Sequence, residues 1–285
     1  MPFVRKISNN LINNLKSQQL YINHLKQDLL VFPAIRNESI DFYYSGGNLF
    51  KFKKNDFSTN IKFAAVIKNK DNYINENDLK TGCLIKSFQD GYSRIKENCL
   101  KYSGKEDLCI AQLYSKYSYR NQNEKIVILD IEVSFEALDI DRNQDRIDIL
   151  LYDKENRALQ FVEAKHYENS ELRSKSTPKV ISQIKRYENQ IKKSRSSIIK
   201  QYKNYIKGIN KLFKCKLDYP KSVEEKVILC VMGFDRSQTK KLKKDIKDKK
   251  DIKDNPAFKG IKYYQIGNPK SIKSLNRLWG AKTIV

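Results

Sequence analysis

The 285-residue chain is expected to fold as an α/β protein, with a mixed central sheet flanked by helices over residues 105–285 and an N-terminal α+β module over residues 1–104. Three observations lead there. From Lys105 onward the apolar patterning runs helix, strand, strand, strand, long helix, strand, strand, an order that builds a layered α/β sheet. The run Lys226–Phe234 (KVILCVMGF) is apolar throughout and bounded by charge, the pattern of a strand covered on both faces. Arg146–Lys165 (RIDILLYDKENRALQFVEAK) reads as a β-hairpin, two apolar flanks around the polar turn Asp153–Arg157.

Taken in order, residues 3–30 place Ile7, Leu11, Leu15, Ile22, Leu25 and Leu29 at near-helical spacing, which predicts one amphipathic helix with a possible break near Ser17. His24 rides on it as a surface or half-buried residue. Ser39–Lys54 (SIDFYYSGGNLFKFKK) reads as a hairpin turning at Gly46-Gly47-Asn48, and Ile61–Ile67 offers a third strand. The aromatics Phe42, Tyr43, Tyr44, Phe50 and Phe52 suit the core of this small sheet, with base stacking as the alternative. Lys68–Lys80 is a polar loop. Helices are expected over Gly82–Tyr102 and Lys105–Tyr119, parted by Ser103-Gly104.

In the second part, Ile126–Phe135 is a strand whose strict alternation puts Ile126, Ile128, Asp130, Glu132 and Ser134 on one side. The hairpin's register is computable. If Asp153 pairs with Ala158, then Tyr152 faces Leu159, Leu150 faces Phe161 and Asp148 faces Glu163, with Lys165 on the same face. Opposed carboxylates repel, and a divalent cation between them turns that repulsion into a binding site of hard oxygen donors. The Asp/Glu-x-Lys pattern recurs in this Lys-rich chain, but only Glu163-Ala164-Lys165 closes an apolar strand with an Asp across from it. The plain alternative is an edge hairpin carrying a surface ion pair. Asp145 precedes the first of these strands as a loop residue.

A helix beginning near Thr177-Pro178 then sets Gln183 and Tyr187 one turn apart. Lys185 to Lys216 holds eleven Lys and Arg against one acid, Glu188, with Tyr187, Tyr202 and Tyr205 interleaved, a pattern that suits tracking a nucleic-acid backbone. Thr239–Asn255 reads as a solvated charged segment, Gly260–Ile266 as a last strand and Ser271–Trp279 as a short closing helix.

Fifty-six Lys and Arg against thirty-three Asp and Glu leave a charge of +23, which favours polyanionic partners. No apolar run approaches the ~18 residues that a bilayer requires, and MPFVRKISNN lacks a signal-peptide core, so a cytoplasmic protein without membrane attachment is expected. The five Cys (83, 99, 109, 215, 230) are widely spaced and His occurs only at 24 and 166, which argues against structural zinc and a disulfide framework.

Asp148, Glu163-Ala164-Lys165 and Gln183-x-x-x-Tyr187, in that order over strand, strand and helix, resemble the PD-(D/E)XK nuclease superfamily and, through the Gln/Tyr helix, its RecB-type branch. The resemblance covers about Lys105 to Gly267. The Pro of the family motif is absent, Gln144-Asp145-Arg146-Ile147 standing before Asp148. The resemblance implies a restriction-endonuclease-like core and a metal-dependent nuclease acting on DNA. Asp148 and Glu163 would bind Mg²⁺ (or Mn²⁺) together with the carbonyl of Ala164, Lys165 would assist the attacking water, and Gln183 and Tyr187 would position the nucleic acid. Glu106 is a candidate for a third acidic ligand, since the family's core often takes an acid from the helix before its first strand; Asp130 and Glu132 are candidates because they share one side of their strand and can look toward the cleft of Asp148, with an exposed polar face as the alternative. Two alternatives stay open: a nucleic-acid-binding protein whose hairpin is catalytically silent, and a regulatory or defence-complex subunit with a nuclease-like fold that binds a protein through the N-terminal module.

Overall fold

The computed structural model describes residues 3–64, 73–76, 79, 85–121, 123–135, 146–173, 178–235, 238 and 255–285. The chain divides into two compact units.

The N-terminal unit comprises Val4–Lys116 together with Gln201–Tyr219. Its first helix, α1 (Asn9–Ser17), is capped by the Ser8 side chain, which accepts from the Leu11 amide. The backbone turns extended at Gln18 and resumes as a π-helical turn over Tyr21–Leu25. The helical stretch is therefore broken just after Ser17, where the sequence allowed for a break. The break rotates Leu20, Tyr21 and Leu25 inward, so Ile22 and Leu29, expected on the apolar stripe, are exposed instead.

Five antiparallel strands follow in simple order: β1 (Phe32–Arg36), β2 (Ser39–Tyr44), β3 (Gly47–Lys53), β4 (Asp56–Asn60) and β5 (Tyr73–Asn75). The β2–β3 turn is Ser45-Gly46, one residue earlier than expected, with both φ positive (49° and 86°) as a two-residue hairpin loop requires. Gly46 is doubly constrained, because a Cβ there would meet the Asp107 Cβ at 2.0 Å. Lys54 and Asn55, also at positive φ, make a second two-residue turn and bring the third hairpin strand forward to Asp56–Asn60. Of the strand expected over Ile61–Ile67, residues 61–64 form a turn and the rest lies outside the described residues. Phe42, Phe50 and Phe52 are fully buried, and Tyr43 nearly so, which makes them core. Helices α2 (Tyr92–Lys101) and α3 (Lys105–Tyr117) follow. The residues of α3 up to Lys116 belong with this unit, although the sequence assigns them to the core.

The second unit comprises Tyr117–Lys200 and Pro220–Val285, with Phe3 packed on Phe135. It is built on a mixed sheet: β6 (Ile126–Ser134), β7 (Arg146–Asp153), β8 (Ala158–His166), β9 (Ser222–Val223), β10 (Ile228–Met232), β11 (Lys262–Ile266) and β12 (Lys282–Thr283). The order is β12-β11-β10-β8-β7-β6, with β9 on β8; β8, β10 and β11 run parallel, while β6, β7 and β12 pair antiparallel to their neighbours. Every residue of β10 is buried, in keeping with its uninterrupted apolar run.

Helix α4 (Lys179–Phe213) counts with this unit up to Lys200. It buries Val180, Ile184, Tyr187, Ile191 and Ile198 at helical spacing. Tyr202 and Tyr205, in its later part, are fully buried as well, so these tyrosines are core residues and do not line a base-stacking groove. The short helix α5 (Asn276–Trp279) precedes β12. Cys83, Asp145, Thr177 and residues 239–254 of the charged segment lie outside the described residues. Among the described residues no helix is long and apolar enough to cross a membrane.

Candidate active site

The β7–β8 hairpin has the register read from its sequence: Asp153 pairs with Ala158, Tyr152 with Leu159 and Leu150 with Phe161. The ladder runs to Ile149 opposite Val162. There a side chain takes over from the backbone, and Asp148 Oδ2 accepts a hydrogen bond from the Ala164 amide at 2.7 Å. Alternation puts Asp148, Leu150 and Tyr152 on one face with Leu159, Phe161 and Glu163. Because the amide and carbonyl of a strand residue point to the same neighbour, the Ala164 carbonyl is directed to the Asp148 side as well.

Glu163 is fully buried and Lys165 is 6% exposed. The Lys165 ammonium lies 2.8 Å from Glu163 Oε1 and 3.2 Å from Glu171 Oε2. Glu171 was not foreseen. It sits on a 3₁₀ turn, Ser170–Leu172, whose cap Asn169 accepts from the Glu171 amide at 2.9 Å. The available signal was the Asn-x-Glu start of a helical turn a few residues past the motif.

Strand β6 corrects the strict alternation expected for it. Ile126 opposes Asp153 and Ile128 opposes Leu151, but Asp130 opposes Leu150, so Leu129 is an extra residue absorbed in a β-bulge. Ile126 and Ile128 therefore share the Leu151 face, while Asp130 shares the Leu150 face, which is that of Asp148. In a regular ladder Asp130 would have opposed Ile149 and pointed the other way. Asp130 is fully buried and turned onto its own backbone, accepting from the Ile131 amide at 2.9 Å. Glu132, at φ 51°, is ion-paired with Arg146 at 2.9 Å. Glu106 belongs to the N-terminal unit. Among the described residues no three His, Cys, Asp or Glu side chains are gathered as a preformed metal cage. The hard donors brought to adjoining strands are the carboxylates of Asp148 and Glu163 and the carbonyl of Ala164, a set whose chemistry fits a divalent cation of the Mg²⁺ type.

The helix pair is linked in series. Gln183 Nε2 donates to the Tyr187 hydroxyl at 2.8 Å, and that hydroxyl donates to the Arg146 carbonyl at 2.5 Å. The Tyr187 ring has no exposed area, so it cannot stack on a base; it packs α4 against the sheet. Gln183, half-buried, is the member of the pair that retains access to solvent. Farther along α4, Lys185, Lys192, Lys193, Arg195 and Lys200 are exposed, with Arg195 3.4 Å from Glu225. His166 follows Lys165 half-buried, its Nδ1 3.7 Å from Glu168. Comparison with protein-family models, curated proteins and solved structures finds no match to this chain.

Proposed function

We propose that the protein is a metal-dependent nuclease that hydrolyses phosphodiester bonds in DNA and that its mixed sheet is a restriction-endonuclease-like core. The observation that carries this reading is the bond from the Ala164 amide to Asp148, which draws one carboxylate beside the Glu163-Ala164-Lys165 strand end. A buried Glu and a nearly buried Lys at the end of otherwise apolar strands support it. Ionised pairs in such places add little stability over hydrophobic residues of similar volume, so a chemical role better accounts for their presence.

Asp148 and Glu163, with the carbonyl of Ala164, would hold Mg²⁺ or Mn²⁺. A cation bound there supplies a water of lowered pKa and a positive charge beside the phosphate. The chain's own residues do the rest. Lys165, held from two sides by Glu163 and Glu171, points a fixed donor at the attacking water and at the phosphate oxygen on which charge develops. Gln183 spends one amide hydrogen on Tyr187 and offers the other to a phosphate oxygen. The exposed cations of α4, in a chain of charge +23, attract the polyanion.

The test is incubation of the protein with labelled single- and double-stranded DNA and RNA in Mg²⁺, Mn²⁺ or EDTA, beside Lys165→Ala. Metal-dependent cleavage, absent in EDTA and in the variant, is expected; no cleavage under any of these conditions removes the proposal. One observation favours a second reading. The Lys165 ammonium lies in direct contact with Glu163, as it would in a silent site of a nucleic-acid-binding protein, whose signature is binding without cleavage in either metal.

A further inference from the structure

A cleft of about 550 Å³ lies along β11. Strand β12 pairs only with Lys262 and Tyr263, so from Tyr264 onward that edge of β11 meets the turn after the strand and Arg277 of α5. The lining carries two cations, Lys273 and Arg277, and no acid. Its other polar groups are the hydroxyls of Ser274 and Tyr264, the amides of Gln265 and Asn268, and the Ser271 hydroxyl, which donates its hydrogen to the Asn268 carbonyl at 2.8 Å. Among the described residues neither Lys273 nor Arg277 makes an ion pair. Two cations and several neutral donors around one hollow, with no carboxylate to balance them, match an anion brought by a ligand. Burial raises the Tyr264 phenol above its ordinary pKa, with the charge of Arg277 acting against it, so the phenol keeps its proton and can donate it in a hydrogen bond.

The parallel register relates this cleft to the candidate active site. Val231 pairs with Lys165 on one side and with Gln265 on the other. The three therefore project from the same face at the same level, with Gln265 two strand spacings, about 10 Å, from Lys165, while Tyr264 projects from the other face, so the cleft follows the edge of β11 from one face to the other. The geometry points to a phosphate-binding cleft, in which Lys273 and Arg277, helped by the second amide hydrogen of Gln265 and the Ser274 hydroxyl, hold a phosphate group. Where that phosphate belongs to a nucleic-acid strand whose scissile bond lies at Lys165, the inference rests on the nuclease reading; the anion site itself does not.

The test is binding, measured without divalent metal. Fluorescence anisotropy of a short single-stranded oligonucleotide in EDTA would be followed across a salt series for the wild type, for Lys273→Ala and Arg277→Ala singly and together, and for Lys221→Ala at the opposite end of the sheet. The double variant should bind about tenfold more weakly and lower the salt slope by about one to two units, with Lys221→Ala near wild type. Oligonucleotides with a 5′-phosphate, a 3′-phosphate or neither identify the source of the anion. A gain from one terminal phosphate that the double variant loses assigns a strand end, whereas equal losses on all three assign an internal phosphodiester. On the wild-type protein, the oligonucleotide and inorganic phosphate should each protect Lys273 from amine-reactive labelling. Unchanged affinity and slope in the double variant, equal loss in Lys221→Ala, or absence of protection overturns the cleft. Cleft-dependent binding without cleavage in metal would leave the cleft standing and remove the nuclease reading; cleavage with unaltered binding by the double variant would do the reverse.

Discussion

The hydroxyl of Tyr187 donates to the main-chain carbonyl of Arg146 at 2.5 Å and so ties helix α4 to strand β7 two residues before Asp148. The same hydroxyl accepts from Gln183 at 2.8 Å. One oxygen thus joins a solvent-reaching amide to the strand that carries the candidate ligand.

Tyr187→Phe keeps the ring volume and removes only this link. The Arg146 carbonyl, on an exposed residue, loses this partner, at a cost of about 0.5–1.5 kcal/mol in unfolding free energy by urea titration. Cleavage should slow by about tenfold in kcat with KM little changed, while Gln183→Ala should lower activity with little loss of stability. Wild-type stability in Tyr187→Phe would show that the hydroxyl holds nothing in place.

Asp148→Ala and Glu163→Ala should each abolish cleavage, and the double variant should be no worse than either single one, because joint ligands act as a unit. Mg²⁺ should raise the melting temperature of the wild type and of neither variant. Partial losses that add would mean that the two carboxylates do not share a cation.

Breaking the buried pair at Lys165 is expected to be costly. Lys165→Met leaves Glu163 charged and buried beside Glu171, and should lose roughly 3–5 kcal/mol near neutral pH. Glu163→Gln together with Lys165→Met should recover most of it, since a neutral amide and a thioether need no counter-charge. A double-mutant cycle by denaturant titration measures the coupling, and a value near zero would show that the two groups do not depend on each other.

Acid should weaken the N-terminal unit through Asp28. Burial pushes its carboxyl up, but hydrogen bonds from Lys96 at 2.5 Å and Tyr92 at 2.8 Å, with the Lys96 charge, outweigh this and hold it below the ordinary value of 3.8. A carboxyl lowered in the folded state contributes stability that is present above about pH 4 and lost as pH falls through the folded value. Asp28→Asn should lower stability at neutral pH and flatten its dependence on pH below about 4. Parallel acid-unfolding curves for the two proteins would contradict this.

Residue pattern alone carried some features of the fold and missed others. The hairpin register was legible because two apolar flanks enclose a polar turn, and closing that turn with Asp153 opposite Ala158 fixes every later pair. The bulge at Leu129 was not, since it lies inside Ile126–Val133 with no Gly or Pro to mark it. Strand β1 was hidden by Pro33, which a strand tolerates here because β1 is at the sheet edge. The tyrosines of α4 were misread because lysines separate them in sequence, whereas on a helix the intervening lysines turn to the opposite face. Glu171 reaches Lys165 only because the chain turns back through a capped 3₁₀ segment, a return path that no periodicity announces.

The bulge gives β6 one residue of slack. Deleting Leu129 would let the ladder close as a regular one with Asp130 still opposite Leu150, so every side chain beyond it would keep its face. Strands β7 and β8, paired on both edges, have no such reserve: losing one residue between Ile149 and Tyr152, or between Leu159 and Val162, would carry Asp148 or Glu163 to the wrong side of the sheet. Tolerance to insertion and deletion is thus uneven across three adjacent strands, greatest at the edge and least where the candidate chemistry sits.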